Sequence, residues 1–190
     1  VIHTDKWAFM HIPKTGGMNF IKRSNVRDEV TNRHIDLPKF WVHKPLQYWI
    51  DQGFLDKQYL FTFVRNPYDR LVSLYNHIKV RGNAPDLPDF KTFVMTDWLK
   101  VRGQIDDFNI AAPMVDFLKT NSWCEYGIYK FEDGFEPVEQ IVGYKFSDTF
   151  INKNEHPYYW NYYDDESRKI TYLKYEKDFE RFGYSYMEAY

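Results

Sequence analysis

The chain has 190 residues, 27% charged and 44% hydrophobic, which suits one folded α/β domain over residues 1–190 and excludes a disordered chain. Its net charge of −2 is unevenly spread: residues 1–82 hold 13 Lys and Arg against 7 Asp and Glu, and the remainder 12 against 20. An anionic ligand is therefore expected on the first half, and the lack of a broad basic field argues against a nucleic-acid partner. Cys124 is the single cysteine, so neither an intrachain disulfide nor a cysteine-based metal cluster can form. No apolar run approaches the ~18 residues of a membrane span, and no signal-peptide core is visible. A soluble, cytoplasmic protein is expected; a start at Val1 leaves room for a removed leader or anchor. Aromatics reach 20%, enough for a large core or for a stacking surface.

In chain order, residues 6–12 read as a buried strand running into a tight Pro13-Lys14-Thr15-Gly16-Gly17 loop, with a short helix from Met18. Residues 45–52 read as a helix, with Pro45 at its first position and Gly53 as its stop. Tyr59-Leu60-Phe61-Thr62-Phe63-Val64 is apolar enough for the centre of a parallel sheet. Asn66 then caps a helix whose apolar face is Leu71, Val72, Leu74, Tyr75 and Ile78. Residues 82–88 read as an exposed loop, 90–99 as a helix, 126–131 as a strand and 137–142 as a helix. Asp164 caps a long last helix to Phe182, ended by Gly183. Alternating strands and helices imply an α/β fold with a mainly parallel central sheet flanked by helices.

A strand, a glycine-containing loop and a helix is an arrangement that gathers backbone N–H groups on a phosphate, and Lys14 adds a charge. The order is not that of a Walker loop, where the lysine follows the glycines, so an ordinary ATPase or GTPase is disfavoured. His11-Ile12-Pro13-Lys14-Thr15-Gly16-Gly17 resembles the 5′-phosphosulfate loop of sulfotransferases that use 3′-phosphoadenosine 5′-phosphosulfate (PAPS). Met18-Asn19-Phe20-Ile21-Lys22-Arg23 continues the pattern of the Golgi-type carbohydrate sulfotransferases, which usually carry Thr or Ser in place of Met18.

Phe63-Val64-Arg65-Asn66-Pro67-Tyr68-Asp69-Arg70-Leu71-Val72-Ser73 resembles that family's 3′-phosphate motif, an Arg ending a strand with a Ser eight residues on. The chemistry agrees, since a guanidinium fork at a strand's C-terminal end suits a phosphate. Tyr129-Lys130-Phe131-Glu132-Asp133, the Asn152-Lys153-Asn154 region and Tyr175-Glu176-Lys177-Asp178-Phe179 with Phe182-Gly183-Tyr184 extend the likeness. The resemblance implies a P-loop-like sulfotransferase fold. It also implies cofactor contacts from Pro13, Lys14, Thr15, Gly16, Gly17, Met18, Asn19, Arg65, Ser73, Lys153 and Asn154.

It further implies sulfuryl transfer by in-line displacement to an acceptor hydroxyl, on a carbohydrate glycan or a small hydroxyl compound, leaving adenosine 3′,5′-bisphosphate. PAPS is already activated, so no metal is expected. Lys14 is expected to stabilise charge on the leaving bridging oxygen. His43 is the expected base: it lies just before a helix start and beside Lys44, both of which disfavour its imidazolium. His34 or a carboxylate is the alternative base. A nucleotide kinase-like phosphotransferase and a non-catalytic nucleotide-binding module are the competing readings. Oligomeric state is not legible.

Overall fold

The computed structural model describes residues 2–4, 6–23, 43–53, 59–81, 84–96, 98, 104–105, 108–146 and 157–186. They belong to two compact units, one of residues 1–64 and 116–153, the other of residues 65–115 and 154–190.

The first unit is built on a four-stranded sheet. Its strands are β1 (Ile2–His3), β2 (Trp7–Met10), β3 (Tyr59–Val64) and β6 (Tyr126–Lys130), in the order β1-β2-β3-β6. β1 pairs antiparallel with β2, whereas β2–β3 and β3–β6 are parallel, with Phe9 opposite Phe61 and Phe61 opposite Gly127. β3 is central and buried from Leu60 to Val64, as its unbroken apolar run requires. Thr62, the polar exception, donates its hydroxyl to the Met10 carbonyl at 2.8 Å, so its burial leaves no unmet donor.

Helices α1 (Gly17–Arg23), α2 (Leu46–Asp51) and α6 (Glu139–Val142) also belong to this unit. Its core is aromatic: Trp7, Phe9, Phe20, Phe61, Phe63, Phe135 and Phe146 pack with Val138 and Val142. Phe9 and Phe20 approach to 4.6 Å between centroids, Phe63 and Phe135 to 5.0 Å. Much of the chain's high aromatic content is therefore spent on packing.

The second unit holds α3 (Pro67–Arg81), α4 (Phe90–Met95), the short strands β4 (Gln104–Ile105) and β5 (Phe108–Asn109), and α7 (Asp165–Phe182). The four-residue helix α5 (Met114–Phe117) lies at its boundary. α3 starts as expected: Asn66 Oδ1 accepts the Tyr68 amide at 3.0 Å, and Leu71, Val72, Leu74 and Tyr75 are buried. α7 is fixed at both ends, by an Asp164–Ser167 capping box and by Gly183 in the left-handed region at φ 64°. Between them α7 breaks helical geometry at Tyr175 (φ −114°, ψ 19°).

Several boundaries differ from expectation. The first strand spans Trp7–Met10 instead of 6–12, because the chain leaves the sheet before the loop. α1 begins one residue early, at Gly17, and Pro45 is the cap before α2 instead of its first residue. α4 ends at Met95, because Thr96 turns extended (φ −99°, ψ 160°). Asp89 caps it by accepting the Thr92 amide at 3.0 Å. β6 stops at Lys130, where Phe131–Asp133 tightens into a 3₁₀ turn. The helix expected over 137–142 is α6 preceded by a 3₁₀ turn, Glu136–Val138.

Three buried side chains pin the irregular stretch 110–115 of the second unit. Arg70 donates to the Ala112 and Ile110 carbonyls at 2.9 and 3.0 Å, and the Tyr175 hydroxyl to Ala111 at 2.9 Å. Asp178, fully buried, accepts the Met114 and Val115 amides at 2.8 and 2.9 Å. Asp178→Ala removes two charge-assisted bonds and strands two donors, so a loss of about 3 kcal/mol is expected in urea unfolding. A loss below about 1 kcal/mol would show that solvent or another group replaces the carboxylate.

Candidate active site

The loop after β2 is held from within. Thr15 is fully buried and its hydroxyl donates to the Ile12 carbonyl at 2.9 Å, so that hydroxyl braces the loop itself. Pro13 is also buried. The Gly16 carbonyl accepts the Asn19 and Phe20 amides at 2.9 and 3.0 Å, which starts α1. Lys14 sits at φ 67°, a left-handed conformation unusual for a residue with a side chain.

Both glycines are required, for different reasons. Gly16 adopts φ 86°, and a Cβ there would also fall on the Phe131 ring. A Cβ on Gly17 would fall on the imidazole of His11. Met18 is half exposed. Asn19 is half-buried, and its Oδ1 is buried with no hydrogen-bond partner among the described residues.

His43 belongs to the same unit. Its Nδ1 lies 3.3 Å from the His11 carbonyl oxygen, and its ring meets the His11 ring edge-on at 4.6 Å. Nearby, the Lys44 carbonyl accepts the Trp49 indole N–H at 3.0 Å, which ties the segment carrying His43 to α2. His11 is 4% exposed, and its ring stacks on Phe9 at 5.9 Å. Burial is the main cause that pushes its pKa well below 6.5, with His43 and Lys14 adding to the effect, so His11 is neutral.

In the second unit, Arg65 follows β3 directly. Its Nε and one Nη both lie 2.7 Å from Asp69 Oδ2, an ion pair that orients the guanidinium. Ser73 is buried and sits one helical turn beyond Asp69, on the same line of α3. The sequence motif thus includes a third member, Asp69, visible in the sequence only as an acidic residue of the helix's first turn.

The structure brings Lys14, the two glycines, Met18, Asn19 and His43 into one unit, and Arg65 and Ser73 into the other. His34, Lys153 and Asn154 lie outside the described residues. His11 opens the motif likened to the phosphosulfate loop and lies just past the strand Trp7–Met10; its contacts with Gly17 and His43 are not legible in the sequence.

Three parallel strands with a lysine-bearing phosphate-type loop after the first define a mixed α/β fold suited to an anionic group. The model of the sulfotransferase family matches residues 1–185, and the chain belongs to that family. It is a sulfotransferase enzyme, and its sheet and helices agree with the sulfotransferase fold. No curated protein and no solved structure gives a match. Among the described residues, no helix is long and apolar enough to cross a membrane.

The left-handed backbone at Lys14 inverts an ordinary preference. Elsewhere Gly is less stable than Ala by roughly 0.5–1 kcal/mol, but at φ 67° a Cβ is penalised by about 1–2 kcal/mol. Lys14→Gly is therefore expected to be more stable than Lys14→Ala by about 1 kcal/mol in matched urea melts. The reverse order would mean that position 14 is not left-handed in solution.

Proposed function

We propose that the chain moves the sulfuryl group of PAPS to a hydroxyl of a carbohydrate acceptor by in-line displacement, and that residues 1–190 work as one sulfotransferase domain. The observation that carries this reading is the Lys14 loop. A lysine is held in an uncommon backbone conformation between a parallel strand and a helix start, in a chain of the sulfotransferase family.

The donor set suits the donor's chemistry. Lys14 and the backbone of Pro13, Thr15, Gly16, Gly17, Met18 and Asn19 would take the 5′ phosphosulfate, because clustered N–H groups and one ammonium match its charge. The buried Asn19 Oδ1, unpartnered among the described residues, marks polar capacity beside that loop. Arg65 would grip the 3′ phosphate, its fork oriented by Asp69, with Ser73 adding a hydroxyl. Lys153 and Asn154 are carried as further contacts on resemblance alone.

In the transfer, the acceptor oxygen forms a bond to sulfur as the bond from sulfur to the bridging oxygen breaks. The bonding pair leaves with the bridging oxygen, where Lys14 stabilises the charge. The acceptor's proton passes to His43. PAPS supplies the activated group, so this chemistry asks nothing of a metal.

Transfer of labelled sulfate from PAPS to a panel of neutral glycans and small alcohols, with EDTA present, tests the activity. A glycan product supports the reading; transfer from ATP alone, or transfer abolished by EDTA, would overturn it. A second measurement tests Arg65 and Ser73. Adenosine 3′,5′-bisphosphate at 100 times its dissociation constant should stabilise the protein by about 2.7 kcal/mol, and AMP at the same concentration by much less. Equal effects would remove the two residues from 3′-phosphate binding. Met18→Thr adds the hydroxyl usual in carbohydrate sulfotransferases and is expected to tighten the bisphosphate by about 0.5–1.5 kcal/mol in calorimetry.

A further inference from the structure

His11 touches two parts of the first unit that the proposed chemistry uses separately. One edge of its ring lies where a Cβ of Gly17 would go, so loop and imidazole are in direct contact. Its ring also meets His43 at 4.6 Å and 65°. Its backbone carbonyl lies 3.3 Å from His43 Nδ1. A carbonyl oxygen only accepts, so this contact is a hydrogen bond only when Nδ1 carries the proton. In a neutral imidazole that places the lone pair on Nε2.

We propose that His11 is a positioning residue for sulfuryl transfer, which sets the tautomer and orientation of His43 through its carbonyl and ring and ties that imidazole to the Gly17 end of the loop. The inference rests on His43 being the proton acceptor. Simple core filling does not account for His11. Its Nδ1 is buried with no hydrogen-bond partner among the described residues, a penalty that an apolar side chain of similar volume avoids. His11 also stays neutral beside its partner, since burial first, then His43 and Lys14, oppose its protonation. It supports a base without competing for the proton.

His11→Leu separates the two accounts, because it keeps bulk beneath Gly17 while deleting the flat ring and its nitrogens. The proposal expects this variant to melt no lower than the wild type. Turnover on the best acceptor of the glycan panel should fall at least tenfold, with the KM for PAPS within about threefold of wild type. Nitrogen-15 spectra of histidine-labelled protein give a readout independent of activity. In the wild type, neutral His43 should carry its proton on Nδ1; His11→Leu keeps the backbone carbonyl, so that tautomer should persist while the His43 ring signals broaden or shift as the edge contact is lost.

Wild-type turnover in His11→Leu, or a proton on Nε2 of neutral His43 in the wild type, would overturn the proposal. Should His11→Leu fail to fold, the wild-type tautomer alone decides. His43→Ala distinguishes the two readings. If it retains turnover, the base assignment falls and takes this inference with it. If it loses turnover while His11→Leu keeps it, only the role of His11 falls.

Discussion

The first unit depends on the parallel pairing of β3 with a strand on each side. Parallel neighbours point the same way, so their C-terminal ends lie along one edge of the sheet, where ligands of open α/β sheets are met. β2 delivers the Lys14 loop to that edge, and β6 delivers the turn beginning at Phe131. The contact of Phe131 with Gly16 follows from this shared direction, as does the requirement for glycine at position 16. An antiparallel β6 would bring its other end to the loop and leave Gly16 without that ring. β1, the antiparallel strand of this sheet, pairs on the far side of β2.

Polar groups are treated in two ways along the chain. In the second unit, Arg70, Tyr175 and Asp178 together meet five backbone groups of residues 110–115, and the Thr62 hydroxyl is likewise met inside the sheet. Around the loop the Thr15 hydroxyl is met in the same way, but two other polar atoms are not. Asn19 Oδ1 and His11 Nδ1 are buried without partners among the described residues, and Lys14 is held at φ 67°. Arg168 Nε in the second unit is buried without a partner among the described residues too, so it is the coincidence of unmet atoms with the left-handed backbone at Lys14 that sets the loop apart.

The parts of the fold legible in the sequence are those with a local physical cause. β3 reads from Tyr59 to Val64 because six residues suited to a buried strand are closed by Asn66-Pro67. The ends of α7 read from Asp164 and Gly183, because a cap and a left-handed stop are side-chain and backbone properties of single residues. β1, β4 and β5 have two residues each, too few for any periodicity to show. α4 overshoots because Val94 and Trp98 continue a helical spacing that the backbone abandons at Thr96. Around the candidate site, the tight loop at Gly16 and Gly17 was legible because glycine's backbone freedom leaves a trace in the sequence. The inward turn of the Thr15 hydroxyl, the Arg65–Asp69 pair and the contact of His11 with His43 were not. Each depends on the direction a side chain takes in three dimensions, which residue type alone leaves open.

The two histidines also show why one of them suits the proposed proton transfer and the other does not. Their rings are 4.6 Å apart, so two imidazolium charges there would repel strongly, and the pair holds one added proton far more readily than two. Burial decides where that proton goes. His11 is almost wholly enclosed and carries its charge at a high desolvation cost, whereas His43 is only half-buried. In the proposed transfer the acceptor's proton would go to His43, the less enclosed of the two. Lys14 sharpens this division, since its ammonium further opposes charge on His11. On the proposed mechanism, a neutral His11 beneath the loop would add no further positive charge beside Lys14 and a protonated His43.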